Sequence, residues 1–191
     1  MMTKPIATTR EASGTPTGRL AVWWVIASEI VIFGGLLAGY LMHRLGHPEW
    51  VAHAANTNVW IGAFNTFVLL TSSLSAVLAH AAAEKGNGPK AANLLLATTF
   101  GGLIFVIVKS YEWTYEISHG MTITANGFWA FYYVAAGLHA LHVVAGMVIM
   151  IIISVAARKG RELQRVELIG IYWHFVDLVW IFLFPLLYIA K

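Results

Sequence analysis

Five long apolar stretches limit what this chain can fold into more than any other feature of its sequence. They cover residues of about 20–42, 58–83, 91–112, 126–157 and 168–190. A helix needs roughly 20 apolar residues, at 1.5 Å each, to cross the hydrocarbon of a bilayer. The sequence therefore predicts an all-α integral membrane protein, a bundle of five transmembrane helices. Only 11% of the residues are charged, against about 25% in ordinary soluble domains.

The connectors between the apolar stretches are short, and each contains residues that interrupt helices. These are His47-Pro48, Gly86-Asn87-Gly88-Pro89, Asn126-Gly127 and Arg158-Lys159-Gly160-Arg161. No connector can hold a further domain, so residues 20–191 are predicted to form a single transmembrane domain. Residues 1–19 are polar and are predicted to form a mobile N-terminal tail. No internal repeat is visible, which argues against an inverted-repeat transporter.

Basic residues concentrate at one end of the predicted helices and so indicate the orientation. That end carries Lys4, Arg10, Arg19, Lys85, Lys90, Arg158, Lys159, Arg161 and Arg165. The opposite end carries only Arg44 and Lys191. Because positive residues collect on the cytoplasmic side of a membrane, the N-terminus is predicted to be cytoplasmic and the C-terminus periplasmic. The net charge of +3 is then a topology signal, and nucleic-acid binding is not expected.

Glu29 is a carboxylate well inside the first apolar stretch, about ten residues or roughly 15 Å from its start. An isolated ionised carboxylate costs several kcal/mol at that depth. Glu29 is therefore expected to be protonated, paired or hydrated. Two interpretations remain open, namely a role in proton handling or lipid binding, and a neutral, hydrogen-bonded structural acid.

Two further spacings predict structural contacts. Gly35 and Gly39 form a GxxxG pair, which is typical of a surface where two helices pack closely. Lys109 and Glu112 stand three residues apart at the end of the third stretch, so their side chains can form an ion pair on one helix face.

Two polar pairs occur in the fourth and fifth stretches. His139 and His142 share one helix face, because residues three apart lie on the same side of a helix. Membrane histidines are common ligands of haem and copper; the alternative is that they bind one another, backbone carbonyls or lipid headgroups. Asp177 is predicted to accept a hydrogen bond from His174, and Trp173 is predicted to anchor at the membrane interface.

Several motifs occur in an order that points to one family. They are Ala27-Ser28-Glu29-Ile30 with Phe33, Asn65-Thr66, Tyr111-Glu112, Gly137-Leu138-His139-Ala140-Leu141-His142-Val143 and Tyr172-Trp173-His174-Phe175-Val176-Asp177-Leu178-Val179-Trp180. Through them, nearly all of residues 19–191 resembles the haem-copper oxidase (cytochrome c oxidase) subunit III family. The last motif is the most specific. The chain resembles a short five-helix form, because the first helical pair of larger members has no counterpart here.

The resemblance implies a non-catalytic subunit III of a respiratory haem-copper terminal oxidase in the bacterial inner membrane. Such a subunit supports proton uptake and the stability of the oxygen-reducing subunit I in aerobic electron transport. It is expected to bind phospholipid but no metal, with haem and copper in partner subunits. Subunit I, other respiratory-complex subunits and membrane lipids are the implied partners, within a possible larger supercomplex. The alternative is a five-helix accessory homologue associated with nitric oxide reductase.

The resemblance also implies roles for individual residues, none of them catalytic. Glu29 matches the family's buried glutamate and is the candidate for a proton-related or lipid-related role. The residues that match its polar interior, and that are expected to tie helices together, are Glu112, His139, His142, His174 and Asp177. Glu112 is a candidate partner for one of the two histidines of the fourth helix.

Overall fold

Six α-helices make up most of the part of the chain that the structure describes. This computed structural model describes residues 11–12 and 15–190. The helices are α1 (Thr17–Gly46), α2 (Trp50–Ala54), α3 (Val59–Glu84), α4 (Gly88–Ser118), α5 (Gly127–Arg158) and α6 (Arg165–Phe184), and a π-helical turn follows at Pro185–Ile189. Before α1, the two-residue strands β1 (Glu11–Ala12) and β2 (Thr15–Pro16) pair antiparallel. The rest of the predicted tail before Thr17, residues 1–10 and 13–14, lies outside the described residues.

The prediction of five helices that can cross a membrane is confirmed. Among the described residues, the long apolar segments are Gly18–Gly46, Val59–Glu84, Gly88–Ser118, Gly127–Arg158 and Arg165–Ile189. Several extend beyond the predicted ends, because hydropathy marks only the apolar part of a helix and α4 continues through a polar segment. We call the side of the bundle where α1 begins the N-terminal side, and the side where the final turn ends the C-terminal side.

The ends of α3, α4 and α5 are defined by the same local signals. Each is preceded by an asparagine whose side-chain oxygen accepts a backbone N–H of the first turn, at Asn58, Asn87 and Asn126. Each is followed by a glycine with φ between 67° and 81°, at Gly86, Gly120 and Gly160. Glycine tolerates this left-handed conformation, which lets backbone N–H groups beyond the helix end bond to carbonyl oxygens of its last turn. The connectors are therefore short and the three helices form consecutive antiparallel pairs.

Helix α6 packs against α3 and α5, whereas α1 lies at the edge of the bundle. The buried seam of α1 is narrow and consists of Ile26, Phe33 and Tyr40, which recur every seven residues. The opposite face is apolar and open, and Trp24 and Val31 are 70% and 74% exposed. Because lipid tails are as apolar as these side chains, this face suits contact with lipid or with another helix.

Polar contacts connect both ends of α1 to the last helical segment. On the N-terminal side, Arg19 forms an ion pair with Glu167 of α6. On the C-terminal side, the Tyr40 hydroxyl donates to the Leu186 carbonyl oxygen at 3.0 Å. These contacts hold α1 to the bundle despite its small buried seam.

Gly35 and Gly39 do not form a close helix-packing surface within the described residues, so the predicted role of this pair stays a prediction for contacts with another chain. Within the described residues, a Cβ atom added at Gly35 would meet nothing within 4 Å, and one at Gly39 would meet only the Phe131 ring, at 3.7 Å. The buried seam runs through Phe33 and Tyr40 instead. Successive residues of a helix are about 100° apart, so a motif placed one or two residues from the seam points elsewhere.

Candidate functional sites in the bundle

Trp173 connects α6 to three other helices. It is 0% exposed, and its indole N–H donates to the Ser72 hydroxyl of α3 at 3.0 Å. Its ring lies against Gly102 of α4 and Gly146 of α5, where an added Cβ atom would approach it to 2.9 Å. The prediction that Trp173 anchors at the membrane interface is therefore wrong. Trp180, two turns further along α6, makes an equivalent bond to Thr66 of α3 at 3.0 Å.

The predicted hydrogen bond between His174 and Asp177 is also absent. His174 is exposed, and its Nδ1 lies 2.5 Å from the Ser73 hydroxyl of α3. Asp177 is 3% exposed, and neither of its carboxylate oxygens has a hydrogen-bond partner among the residues that the structure describes. Residues three apart on a helix still differ by about 60° in direction, which here places the imidazole at the surface and the carboxylate inside.

Asp177 is buried beside the Ser73 hydroxyl but has no charged partner among the described residues, and this leads to a specific expectation for Asp177→Asn. Because a buried carboxylate without a charged partner opposes folding, the uncharged amide should leave stability unchanged or raise it by about 1 kcal/mol. Urea or thermal unfolding of the full chain in detergent measures the change. A loss of stability above that size would show that the carboxylate has a stabilising partner.

Glu29 and His142 form a contact between α1 and α5. Glu29 lies 12 residues after the start of α1, or roughly 18 Å along its axis. Its Oε2 is 3.1 Å from His142 Nε2, and the two side chains are 15% and 16% exposed. His142 Nδ1 is 2.7 Å from the Leu138 carbonyl oxygen. The Tyr172 hydroxyl donates to the His142 carbonyl oxygen at 3.2 Å, so α6 also contacts this site.

The Glu29–His142 contact is close enough for an ion pair, but it does not have the geometry of a hydrogen bond, and Glu29 Oε2 has no hydrogen-bond partner among the described residues. A carbonyl oxygen only accepts hydrogen bonds, so Nδ1 of His142 carries a hydrogen and donates it to Leu138. The Nε2 atom of a neutral ring would then be an acceptor facing another acceptor, the Glu29 carboxylate. A proton on either group makes the 3.1 Å contact favourable. The pair can thus hold a proton deep in a spanning helix.

An apolar groove of about 400 Å³ lies beside this pair, between α1, α5 and α6. Aliphatic side chains such as Val25 and Ile152 line it, with Arg165 at the N-terminal-side end and Tyr172 further in. The groove thus combines an apolar trough with a guanidinium at one end.

A second polar site, the Lys109 cluster, lies near the C-terminal side and consists of Lys109, Glu112, Glu116, Tyr132 and Tyr188. Lys109 is 1% exposed and the two glutamates are each 2% exposed. Lys109 Nζ donates to Glu112 Oε2 at 2.8 Å, which confirms the predicted ion pair, and to Tyr132 Oη at 2.8 Å. It also donates to the Tyr188 hydroxyl. The cluster joins α4, α5 and the final turn.

Only part of this cluster could be predicted from the sequence. Glu116 lies four residues after Glu112 and therefore on the same helix face, a signal that could have identified it. Tyr132 and Tyr188 come from distant segments and gave no such signal. The predicted partnership of Glu112 with a histidine of α5 is wrong, because Glu112 contacts Lys109 and Tyr188 instead.

His139 occupies an aromatic environment in the middle of the bundle. It is 0% exposed, its ring stacks on Trp180 at 5.1 Å, and the edge of Phe105 approaches it at 5.3 Å. Among the described residues, no group of three or more His, Cys, Asp or Glu side chains is arranged to hold a metal ion.

Comparison with known proteins gives a consistent result. A family model described as cytochrome c oxidase subunit III matches residues 18–191. A cytochrome c oxidase subunit 3 from Corynebacterium diphtheriae is 31% identical over 173 residues, which are 87% of this chain and 84% of the relative. A probable cytochrome c oxidase subunit 3 from Mycobacterium tuberculosis is 31% identical over 175 residues, covering 89% of this chain and 85% of the relative.

One similar protein is a fusion. The heme-copper oxidase subunit I+III of Aeropyrum pernix is 31% identical over 187 residues, which are 90% of this chain but 22% of that relative. The chain thus spans about a fifth of the fused relative. The family match at residues 18–191 includes both the Glu29–His142 pair and the Lys109 cluster.

Proposed function

Because this multi-pass membrane protein belongs to the cytochrome c oxidase subunit III family, we propose that it is the non-catalytic third subunit of a respiratory haem-copper terminal oxidase. In this role it supports proton uptake by the oxygen-reducing subunit I and keeps that subunit active during turnover. The family match over residues 18–191 supports the assignment, and the Glu29–His142 pair is the observation that carries the proposed role. Haem and copper then belong to the partner subunits.

Subunit I is the proposed direct partner. The name of the Aeropyrum pernix relative states that subunits I and III are joined there in one chain. In the present chain, the exposed apolar face of α1, with Trp24 and Val31, offers a surface for a neighbouring helix. Association with other respiratory-complex subunits, up to a supercomplex, belongs to the same proposal.

The proposed orientation places the N-terminal side in the cytoplasm and the C-terminal side in the periplasm of a bacterial inner membrane. The unequal distribution of lysine and arginine between the two sides supports it. The groove beside Glu29 then opens toward the cytoplasmic leaflet, where protons are taken up. The Lys109 cluster lies near the periplasmic surface.

A phospholipid is the proposed occupant of the groove between α1, α5 and α6. Its volume of about 400 Å³ and its aliphatic lining suit an acyl chain. The Arg165 guanidinium pairs with Glu162 at 3.0 Å, and its other N–H groups can contact the phosphate. Tyr172 lines the groove and also bonds to the backbone of His142. The lipid would thus lie beside the proton-holding pair and shield it from other contacts.

Glu29→Ala tests the proposed role in the assembled oxidase. The variant removes one member of the proton-holding pair, so turnover, or the time for which activity lasts, should fall while the haem spectra stay unchanged. Oxygen consumption and inactivation kinetics of the purified complex measure the effect. Glu84→Ala serves as the control, because this glutamate is 67% exposed and far from the pair. Equal activity and endurance in both variants would leave Glu29 as a structural acid.

Purification in mild detergent through a tag on this chain tests the proposed partner. We expect haem-containing subunit I of an oxygen reductase to co-purify. Recovery of a nitric oxide reductase, with no oxygen reductase, would instead support the accessory-homologue alternative. The relatives named cytochrome c oxidase subunit 3 favour the first outcome.

A further inference from the structure

Every hydrogen of the Lys109 cluster can be assigned to one acceptor. The three hydrogens of the Lys109 ammonium go to Glu112 and to the hydroxyl oxygens of Tyr132 and Tyr188. Tyr188 then donates to Glu112 Oε2 at 2.9 Å, and Tyr132 donates to Glu116 Oε1 at 2.8 Å. Each hydrogen of the Lys109 ammonium and of the Tyr132 and Tyr188 hydroxyls is thus used in one hydrogen bond, and none of them is left to donate another.

Two carboxylate oxygens are left over after this assignment. Glu112 Oε1 is buried and has no hydrogen-bond partner among the described residues. Glu116 Oε2 has only the Tyr133 hydroxyl at 3.5 Å, and that hydroxyl donates to the Met121 carbonyl oxygen at 2.7 Å. A buried acceptor without a donor costs about 1–3 kcal/mol, so the site is incomplete as the chain alone builds it.

The cluster also has more negative than positive groups, just as it has more acceptors than donors. One ammonium faces two carboxylates, and all three side chains are 1–2% exposed. With every group ionised, the cluster would carry one uncompensated negative charge inside a membrane-spanning bundle, which is expensive. A single added proton removes that charge and occupies one of the two left-over carboxylate oxygens.

A cleft connects the two glutamates with the C-terminal surface. Its volume is about 270 Å³, and both Glu112 and Glu116 line it. The remaining walls are Asn56, Asn58 and Ile61 from the α2–α3 connector and α3, with Tyr111 and Tyr115 of α4. Asn56, Tyr111 and Tyr115 are exposed, so the cleft leads outward from the buried carboxylates.

We propose that Glu112 and Glu116 form a proton-binding site that holds one exchangeable proton and that this cleft is its route to the C-terminal surface. In the loaded state one glutamate is a carboxylic acid and the other a carboxylate paired with Lys109. On release, the O–H bond of the acid breaks, the proton passes to water in the cleft, and both glutamates are carboxylates. Uptake is the reverse step.

The groups that face the site are Lys109 on α4, Tyr132 and Tyr133 on α5, and Tyr188 on the final turn. The ammonium of Lys109 favours release and the tyrosine hydroxyls supply hydrogen bonds to the carboxylates. The asparagines of the α2–α3 connector carry no charge. The proposal does not depend on the role of Glu29, which lies on a different helix and away from this cleft.

Infrared spectroscopy of the full chain in detergent tests the proposal. We expect Glu116→Gln to remove one carboxylic acid band that titrates in the wild type, since the variant has one ammonium and one carboxylate and needs no further proton. The amide oxygen can still accept from Tyr132, so folding should be kept. Glu49→Gln, an exposed glutamate outside the cleft, should leave the band in place.

Deuterium exchange tests the route separately and does not require a change in the cluster. The carboxylic acid band should shift in heavy water, and Asn56→Trp, which fills the mouth of the cleft, should slow this shift without removing the band. Absence of a band that differs between the wild type and Glu116→Gln would overturn the proton site. A Glu116→Gln-sensitive band that exchanges equally fast in Asn56→Trp would overturn the route.

Discussion

Replacing Lys109 with methionine is expected to destabilise the folded chain by about 3–5 kcal/mol, the usual cost of removing one partner of a buried ion pair. Methionine preserves most of the aliphatic volume, so the effect isolates the ammonium. Without it, Glu112 loses its charged partner, and the hydroxyl oxygens of Tyr132 and Tyr188 lose the donor that joins them.

Unfolding in detergent measures the effect of Lys109→Met, and two further variants define its cause. Lys85→Met changes an exposed lysine and should have little effect. The double variant Lys109→Met, Glu112→Gln removes one ammonium and one carboxylate, so it should recover part of the lost stability. If Lys109→Met and Lys85→Met are equally stable, the cluster does not hold α4, α5 and the final turn together.

The fold could be predicted from local features of the sequence. Each spanning helix needs only a sufficient apolar length, and the connectors carry their own signals, such as Asn87 before α4 and Gly120 after it. These signals act within a few residues. The number of spans and the positions of most connectors therefore follow without knowledge of which helices touch.

The side-chain partnerships could be predicted only where both partners share a helix. Lys109 and Glu112 are three residues apart, and their predicted ion pair is confirmed at 2.8 Å. The Glu29–His142 contact joins residues on α1 and α5. It depends on which faces of these two helices pack together, and the spacing within one helix does not show this. The sequence places His174 and Asp177 together just as plausibly, yet the imidazole faces outward and the carboxylate faces inward on the same helix.

The same limit explains the wrong prediction for Trp173. An indole near the end of an apolar stretch commonly lies at the membrane interface. Here it lies inside, because Gly102 and Gly146 on two other helices leave room for its ring. Only the packing of all these helices shows that a large side chain and two glycines belong to one contact.

Trp173→Ala should therefore destabilise the bundle by about 3–5 kcal/mol, as large-to-small changes at fully buried aromatic residues do. The change leaves a cavity between α3, α4, α5 and α6. Since lipid tails provide no hydrophobic drive for helix association, lost van der Waals contact is the main term. It also removes the hydrogen bond to Ser72.

Two comparisons separate packing from hydrogen bonding at Trp173. Trp173→Phe keeps a ring between the glycines but lacks the indole N–H, so it should cost less, with about 1 kcal/mol from the lost hydrogen bond. Trp24→Ala removes a tryptophan that is 70% exposed on α1 and should leave unfolding in detergent nearly unchanged. Equal losses of stability for Trp173→Ala and Trp24→Ala would show that the packing of the Trp173 ring against Gly102 and Gly146 makes no special contribution.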